Sequence, residues 1–348
     1  MKLLIPRRGT WFIVCLVFLF YGCQNQSESN QKDYPFYHSG FTEGTSFHIK
    51  VSQLPETLEI DGLKKDIDKL LNRIDHQMST YIDDSELSLI NKNISSDWLP
   101  ISQGLYEVIK EAQDISHLSN GAFDITVGPL VNLWGFGPAP DRATPPSDAE
   151  VQEQLIKIGF KHLSIKVEPT ALQKSIPEIY IDLSAIAKGY AVDQVGYLLE
   201  QKGIDSYMVE IGGEIKLKGK NIDNKLWRIA IEKPAPEKRA VEKILQLTDI
   251  GMATSGDYRN FFEVNGVRFS HTIDPKSGRP ITHKLASVSV ISSTTMRADA
   301  LATAINVLGP ELGFDLAEKN DIAAFLIIKN AQGFEEKATT AFSRYTEN

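Results

Sequence analysis

Ile181-Asp182-Leu183-Ser184-Ala185-Ile186-Ala187-Lys188-Gly189-Tyr190-Ala191-Val192-Asp193 is the stretch on which the reading of this chain turns. Residues 178–183 carry Ile179, Tyr180 and Ile181 and read as a strand end that runs straight into a helix. Asp182 or Ser184 can cap that helix, because side-chain oxygens accept from the unpaired N–H groups of a first turn. Ala187, Ala191, Val195 and Leu198 then recur at helical spacing, and Gly203 is a natural stop. Lys188 stands out, since a cation in the first turn sits at the positive end of the helix dipole. With the free N–H groups there it makes an anion site, most simply for a phosphate. An exposed lysine snorkelling off a capped helix is the other reading.

Outward from this centre, strand and helix patterns alternate loosely. A strand is expected over 45–51 and a helix over 63–78, with Leu63, Ile67, Leu70, Leu71 and Ile74 on one face. Met78-Ser79-Thr80-Tyr81 closes it, and Tyr81 at the exit could stack on a flat ring or be half-buried. A further helix over 105–118 ends at Asn120-Gly121. Asp124 follows in the apolar run Ala122-Phe123-Asp124-Ile125, where an acid needs backbone donors or a polar ligand. Residues 130–137, with Trp134 and Phe136, wall the core, and 137–147 reads as a long surface loop.

Downstream, Gly212-Gly213-Glu214 marks a tight bend after the apolar run 207–211. A strand is expected over 227–231. Residues 259–264 and 267–273, joined by Asn265-Gly266, make the plainest hairpin and deliver Ser270, His271 and Asp274 to one end. A strand over 286–291 feeds a helix beginning near Ala298, and a last strand covers 323–328. The expectation is an α+β fold of mixed, largely antiparallel sheets packed with helices. Neither a P-loop nor a Rossmann fingerprint is present: Gly135-Phe136-Gly137 runs into Pro-Ala-Pro.

The start of the chain reads as an address. Residues 1–22 have a basic head of Lys2, Arg7 and Arg8 and an apolar run over 11–21, shorter than the ~20 residues a spanning helix needs. Gly22-Cys23 ends it as a lipoprotein signal would, with Cys23 as the lipidation site; an ordinary secretory peptide is the alternative. Residues 23–38 form a lipid-anchored polar tether and 39–348 the working domain, on a membrane facing the periplasm. The chain has two cysteines, Cys15 and Cys23. The mature domain therefore has no disulfide, thiol nucleophile or cysteine-based zinc site. Without 1–22 it carries 34 Lys+Arg against 45 Asp+Glu, a net charge of −11. Such a domain does not grip nucleic acid by charge.

Asp299 and Thr303 lie four apart on a helix and so share a face. Carboxylate, hydroxyl and carbonyl oxygens suit Mg²⁺ rather than zinc or copper, although an acid near a helix start also arises from dipole electrostatics alone. His271 ionises near working pH and can serve as a general base, or can simply end a strand. A Ser255–His271–Asp274 hydrolase triad lacks the G-x-S-x-G elbow.

The string DLSAIAKGYAVD (182–193) resembles the signature of the ApbE family of FAD:protein FMN transferases. Met78-Ser79-Thr80-Tyr81, Gly121-Ala122-Phe123-Asp124-Ile125-Thr126, Ser270-His271-Thr272-Ile273-Asp274-Pro275 and Arg297-Ala298-Asp299-Ala300-Leu301-Ala302-Thr303 match in the same order. The resemblance implies an ApbE/T-fold-like architecture and FAD as substrate, with Tyr81, Ala122, Phe123, Asp124, Asp182, Lys188 and Ile273 lining its site. It implies Mg²⁺ held by Asp299, Thr303 and the carbonyl of Ala185, with that of Ala302 joining, and His271, Lys188 and Asp182 in catalysis. Glu43 takes the flavin-contact position where family members often have methionine. The implied reaction attaches FMN to a threonine or serine of a flavin-accepting subunit or flavodomain of a membrane redox complex of the Nqr or Rnf kind, releasing AMP. The alternatives are an FAD pyrophosphatase and a non-catalytic FAD-binding lipoprotein.

Overall fold

The computed structural model describes residues 34–138, 144–234, 241–256, 261–264 and 267–346. The signal over 1–22, Cys23, the tether up to 33, residues 139–143 of the expected loop and the Asn265-Gly266 turn lie outside the described residues.

Among the described residues the main sheet has eight strands, every neighbouring pair antiparallel. It starts with the hairpin β1 (Phe36–Thr42) and β2 (Thr45–Val51), whose alternating burial matches a sheet with one face on the core. The helices α1 (Ile60–Met78), α2 (Glu86–Lys92), α3 (Gln103–Leu118), α4 (Gly128–Leu133) and α5 (Asp148–Leu155) follow, and β3 (Leu99–Pro100), which runs between α2 and α3, joins β4 (Leu163–Val167) and β5 (Thr170–Lys174) in a small sheet. Helix α6 (Ala187–Gln201) returns the chain to the main sheet as β6 (Tyr207–Ile211) and β7 (Glu214–Lys218). Gly212 (φ 63°) and Gly213 (φ 107°) make the two-residue turn between them; two positive φ values in a row are what a tight hairpin with right-handed twist requires.

The strands β8 (Trp227–Glu232) and β9 (Val241–Leu247) form a separate hairpin, followed by β10 (Ile250–Gly256) in the main sheet. Two further short hairpins are β11 (Phe261–Val264) with β12 (Val267–Ser270), and β13 (Ile273–Asp274) with β14 (Arg279–Pro280). The chain closes with β15 (Leu285–Ser292), α7 (Thr295–Lys319, broken at Gly309 ahead of Pro310), β16 (Ala323–Asn330), β17 (Gly333–Ala338) and α8 (Thr340–Ser343).

One face of the sheet carries α1, α6 and α7, and α3 packs behind them on α1 and α7. Helix α1 puts Leu63, Ile67, Leu70, Leu71, Ile74 and Met78 into this core; each buried side chain of this size contributes about 1.5–3 kcal/mol. The other face is sealed by the β8–β9 hairpin and α8, with Trp227, Ile229, Leu245 and Phe342 against Phe325 and Ile327. The helical face holds the site.

Several expectations are corrected. Residues 178–183 form no strand: Asn91 grips Ile181 instead, donating from Nδ2 to its carbonyl (2.9 Å) and accepting its N–H on Oδ1 (2.8 Å). Asp182 N–H goes to the Ile125 carbonyl (2.7 Å), so the backbone is satisfied without a ladder. Neither Asp182 nor Ser184 caps α6, whose N-cap is Ile186 with no side-chain cap. Asp182 Oδ1 accepts from Ser184 N–H (2.9 Å) and Oγ (2.5 Å), closing a turn that separates it from the helix. Strand β1 begins at Phe36, inside the stretch expected as tether, because it pairs residue by residue with β2. Helix α7 begins at Thr295 rather than near Ala298, its N-cap Thr294 accepting from Arg297 N–H, so Asp299 lies in the second turn, beyond the dipole-favoured start.

Candidate active site

A cavity of about 440 Å³ opens on the helical side of the sheet, lined by Tyr81, Ala122, Phe123, Asp124, Asp182, Ser184, Ala185, Lys188, Gly212, Glu214, Ser255, His271, Ile273, Asp299 and Thr303, among others. It therefore gathers most of the residues read from the sequence. Ala302 is buried and does not line it. Glu43 lines an adjoining cleft of about 660 Å³ with Gly44, Asp75 and residues 78–82; Tyr81, Ser184 and Lys188 border both.

Each wall has a local cause. Asn120 (φ 51°) and Gly121 (φ 78°) turn the chain off α3, and the Asp124 carboxylate then pins the following loop. Its Oδ1 accepts from Thr126 N–H (2.8 Å) and Oγ1 (2.6 Å), and its Oδ2 from Phe160 N–H (2.8 Å). The partner this buried acid needs is thus the protein itself. Burial pushes its carboxyl up, and those donors oppose the shift. Asn91 fixes Ile181, and through it Asp182 and the turn to Ala185. Gly212 lets the β6–β7 turn lie against the lysine: a Cβ there would stand 3.3 Å from Lys188 Cδ and 2.8 Å from Thr45 Cγ2.

Lys188 is the electrostatic centre. Its Nζ lies 3.4 Å from Glu214 Oε1, 3.9 Å from Asp299 Oδ2 and 3.4 Å from the Ser184 carbonyl. Burial alone would lower its pKa, but Asp299, Glu214 and Glu43 outweigh that and hold it above the ordinary lysine value. Glu214 is pushed up to about 8 by burial, against the pull of Lys188. Burial likewise pushes Glu43 to about 8, with Asp75 and Asp299 adding to it and Lys188 opposing. The Asp299 carboxyl is raised by burial too, while Lys188 and the Gly189 N–H, which donates to its Oδ2 at 3.1 Å, act the other way.

Three carboxylates share one ammonium, and Glu43 Oε2 and Glu214 Oε2 are buried with no hydrogen-bond partner. Those unpartnered carboxyl oxygens, on which burial holds protons until a cation displaces them, and the hard-oxygen set of Asp299, Thr303 and Ala185 on the cavity fit a small divalent cation such as Mg²⁺. Among the described residues no three His, Cys, Asp or Glu side chains form a ready cage, so hydroxyl and carbonyl oxygens have to contribute.

His271 lines the cavity with the ring of Phe136 edge-on to it at 6.3 Å. Asp274 gives its carboxylate to its own turn, accepting from Lys276 N–H (3.0 Å), Ser277 N–H (3.2 Å) and Ser277 Oγ (2.7 Å). Ser255 Oγ accepts from the buried Asn306 amide at 3.2 Å. Glu214 is the member of the cluster to which the sequence reading gave no role; an acid directly after a double-glycine turn, at an inward-facing strand position, was its signal.

Residues 44–326 match the family model described as the ApbE family. The chain is 46% identical over 336 residues to the FAD:protein FMN transferase of Vibrio cholerae serotype O1, covering 96% of this chain and 98% of that protein. It is 45% identical over 314 residues to that of Haemophilus influenzae, covering 89% and 91%. Among solved structures, flavin transferase ApbE from Vibrio cholerae matches with a TM-score of 0.83 at 46% identity, over 89% of this chain and 98% of that one. The apo form of Pseudomonas stutzeri flavinyl transferase ApbE matches with a TM-score of 0.82 at 40% identity, over 89% and 96%. Sequence and fold agree across nearly the whole domain, and the chain belongs to the ApbE family.

Proposed function

We propose that this ApbE-family flavin transferase moves FMN from FAD onto a threonine or serine hydroxyl of a partner protein and releases AMP. The observation that carries the reading is Lys188. It is held at a helix start between Asp299 and Glu214, in a cavity that also offers apolar and aromatic walls at Tyr81, Phe123 and Ile273. A diphosphate matches the cation and the helix N-terminus, and flat rings match the walls.

In this reaction the acceptor oxygen attacks the flavin-side phosphorus of FAD. The bond from that phosphorus to the bridging oxygen breaks, AMP leaves with that oxygen, and the hydroxyl proton passes to His271 Nδ1 or Nε2. Lys188 orients the diphosphate and balances charge gathering on it. Asp182, ordered by its turn with Ser184, borders the same space. Mg²⁺ held by Asp299, Thr303 and the Ala185 carbonyl would supply neutralisation of the phosphate oxygens.

Residues 1–23 support an exported protein anchored by lipid at Cys23 on a membrane facing the periplasm, where flavin-accepting subunits of membrane redox complexes are the fitting partners. Palmitate labelling that persists in Cys23→Ala would remove the anchor assignment.

The test of the reaction is mass spectrometry of an acceptor flavodomain after incubation with the full chain, FAD and Mg²⁺. The expected result is a gain of one FMN on a hydroxyl residue, lost with EDTA. Free FMN and AMP beside an unmodified acceptor would replace the transferase with a pyrophosphatase, and intact FAD would leave a binding protein.

A further inference from the structure

Asp193 closes the stretch that organises the chain, yet the chemistry above gives it no role. It is buried on α6 (8% exposed) and directs its carboxylate out of its own helix. Oδ1 accepts from Thr295 N–H at 3.0 Å and Oδ2 from Met296 N–H at 2.9 Å. These are the first two amides of α7, groups that have no partner within a helix. The third, Arg297 N–H, is taken by Thr294 Oγ1. Lys216 on β7 completes the arrangement, lying 3.2 Å from Asp193 Oδ1 and donating to the Ser293 carbonyl at 2.9 Å.

The capping is reciprocal. Asp299 of α7 accepts from Gly189 N–H in the first turn of α6 at 3.1 Å. Between the two caps the helices nearly touch: a Cβ on Gly189 would stand 2.6 Å from the Thr295 carbonyl oxygen and 2.7 Å from Met296 Cα. Thr295, Asp299 and Thr303 follow one another at four-residue spacing along one face of α7. The position of the α7 start therefore sets the position of both proposed ligands. A slip of one residue along a helix moves a side chain by about 1.5 Å and turns it by about 100°, far outside the tolerance of a small-cation site.

We propose that Asp193 is a positioning residue for the cation site: by holding the start of α7 on α6, it sets Asp299 and Thr303 against Ala185 and Lys188. This rests on the cation reading given under Proposed function, and the experiment separates the two.

Mn²⁺, a hard cation visible by electron paramagnetic resonance, is titrated into the metal-free full chain and its variants, and FAD binding without metal is followed by flavin fluorescence. Wild-type protein binds Mn²⁺ and Asp299→Ala does not; absence of wild-type binding would bring down the cation reading and this inference with it. Asp193→Asn keeps the shape but loses one acceptor and the charge. It is expected to raise the Mn²⁺ Kd roughly 10- to 100-fold, as loss of an outer-shell partner does, with metal-free FAD affinity unchanged. A lower Tm with wild-type Mn²⁺ affinity would reduce Asp193 to a structural cap and overturn the proposal, as would an equal loss of Mn²⁺ and FAD binding. If Asp193→Asn does not fold, Lys216→Met replaces it: a smaller rise in Kd supports the proposal, and a wild-type value overturns it.

Discussion

Lys174 and Lys188 are both drawn in from the surface, and their surroundings are opposite. Lys174, fully buried at the end of β5, meets only backbone: its Nζ donates to the carbonyls of Ile90 (3.1 Å), Asn93 and Ile179 (3.4 Å). Burial lowers its pKa, with Glu178 opposing. Lys188 meets carboxylates, and its pKa is raised. The first lysine satisfies the open end of α2 and ties it to the segment that leads to Asp182. The second leaves acceptors such as Glu214 Oε2 unpartnered around it. A buried cation whose neighbours are all satisfied belongs to the fold; one among buried carboxyl oxygens left without a partner is set up for a ligand.

The sharpest way to break that contrast is a matched pair of substitutions. Lys188→Met should lower kcat/KM by about 10²–10³-fold, the usual cost of one electrostatic stabiliser, as read by flavinylation rate. Lys174→Met should show the reverse pattern. Three carbonyls lose their donor, so stability falls by about 2 kcal/mol, seen as a lower denaturation midpoint, while KM for FAD below the transition stays at the wild-type value. Comparable activity loss in both variants at a temperature where both are folded would erase the distinction.

A smaller effect sharpens the carboxylate side of the comparison. Glu43 and Glu214 have ordinary pKa values of 4.5 and are pushed to about 8 in the folded protein. Between those values the native state holds more protons than the unfolded one, so stability falls as pH rises through this window. The metal-free protein should therefore melt lower at the upper end of the window than at the lower end. Added Mg²⁺ should raise the midpoint more at the upper end, because it takes over the role of those protons. Calorimetric scans at both ends, with and without Mg²⁺, check this; a Mg²⁺ effect independent of pH would detach the two glutamates from the cation.

Much of the site was legible because its pieces are local. The 63–78 helix shows in the spacing of Leu63, Ile67, Leu70, Leu71 and Ile74, and the β6–β7 turn in two adjacent glycines. Lys188, Asp299 and His271 stand in recognisable strings. What misled the reading was local as well: Ile179, Ile181 and Leu183 alternate like a strand, but Asn91, 90 residues away, supplies the pairing. For Asp124 the sequence left backbone donors or a ligand open, and only the fold, which brings Phe160 N–H to it from 36 residues away, chose the donors.

By itself the sequence determined the 63–78 and 105–118 helices and the Gly212-Gly213 turn, since periodicity and turn chemistry act within a few residues. It also determined the family, through five ordered motifs. Only the tertiary structure decided that Glu43, Glu214 and Asp299 converge on Lys188, and that Asp193 of one helix caps the start of another. Those contacts join elements far apart in sequence, and their strength comes from burial, which no single stretch of the chain can state.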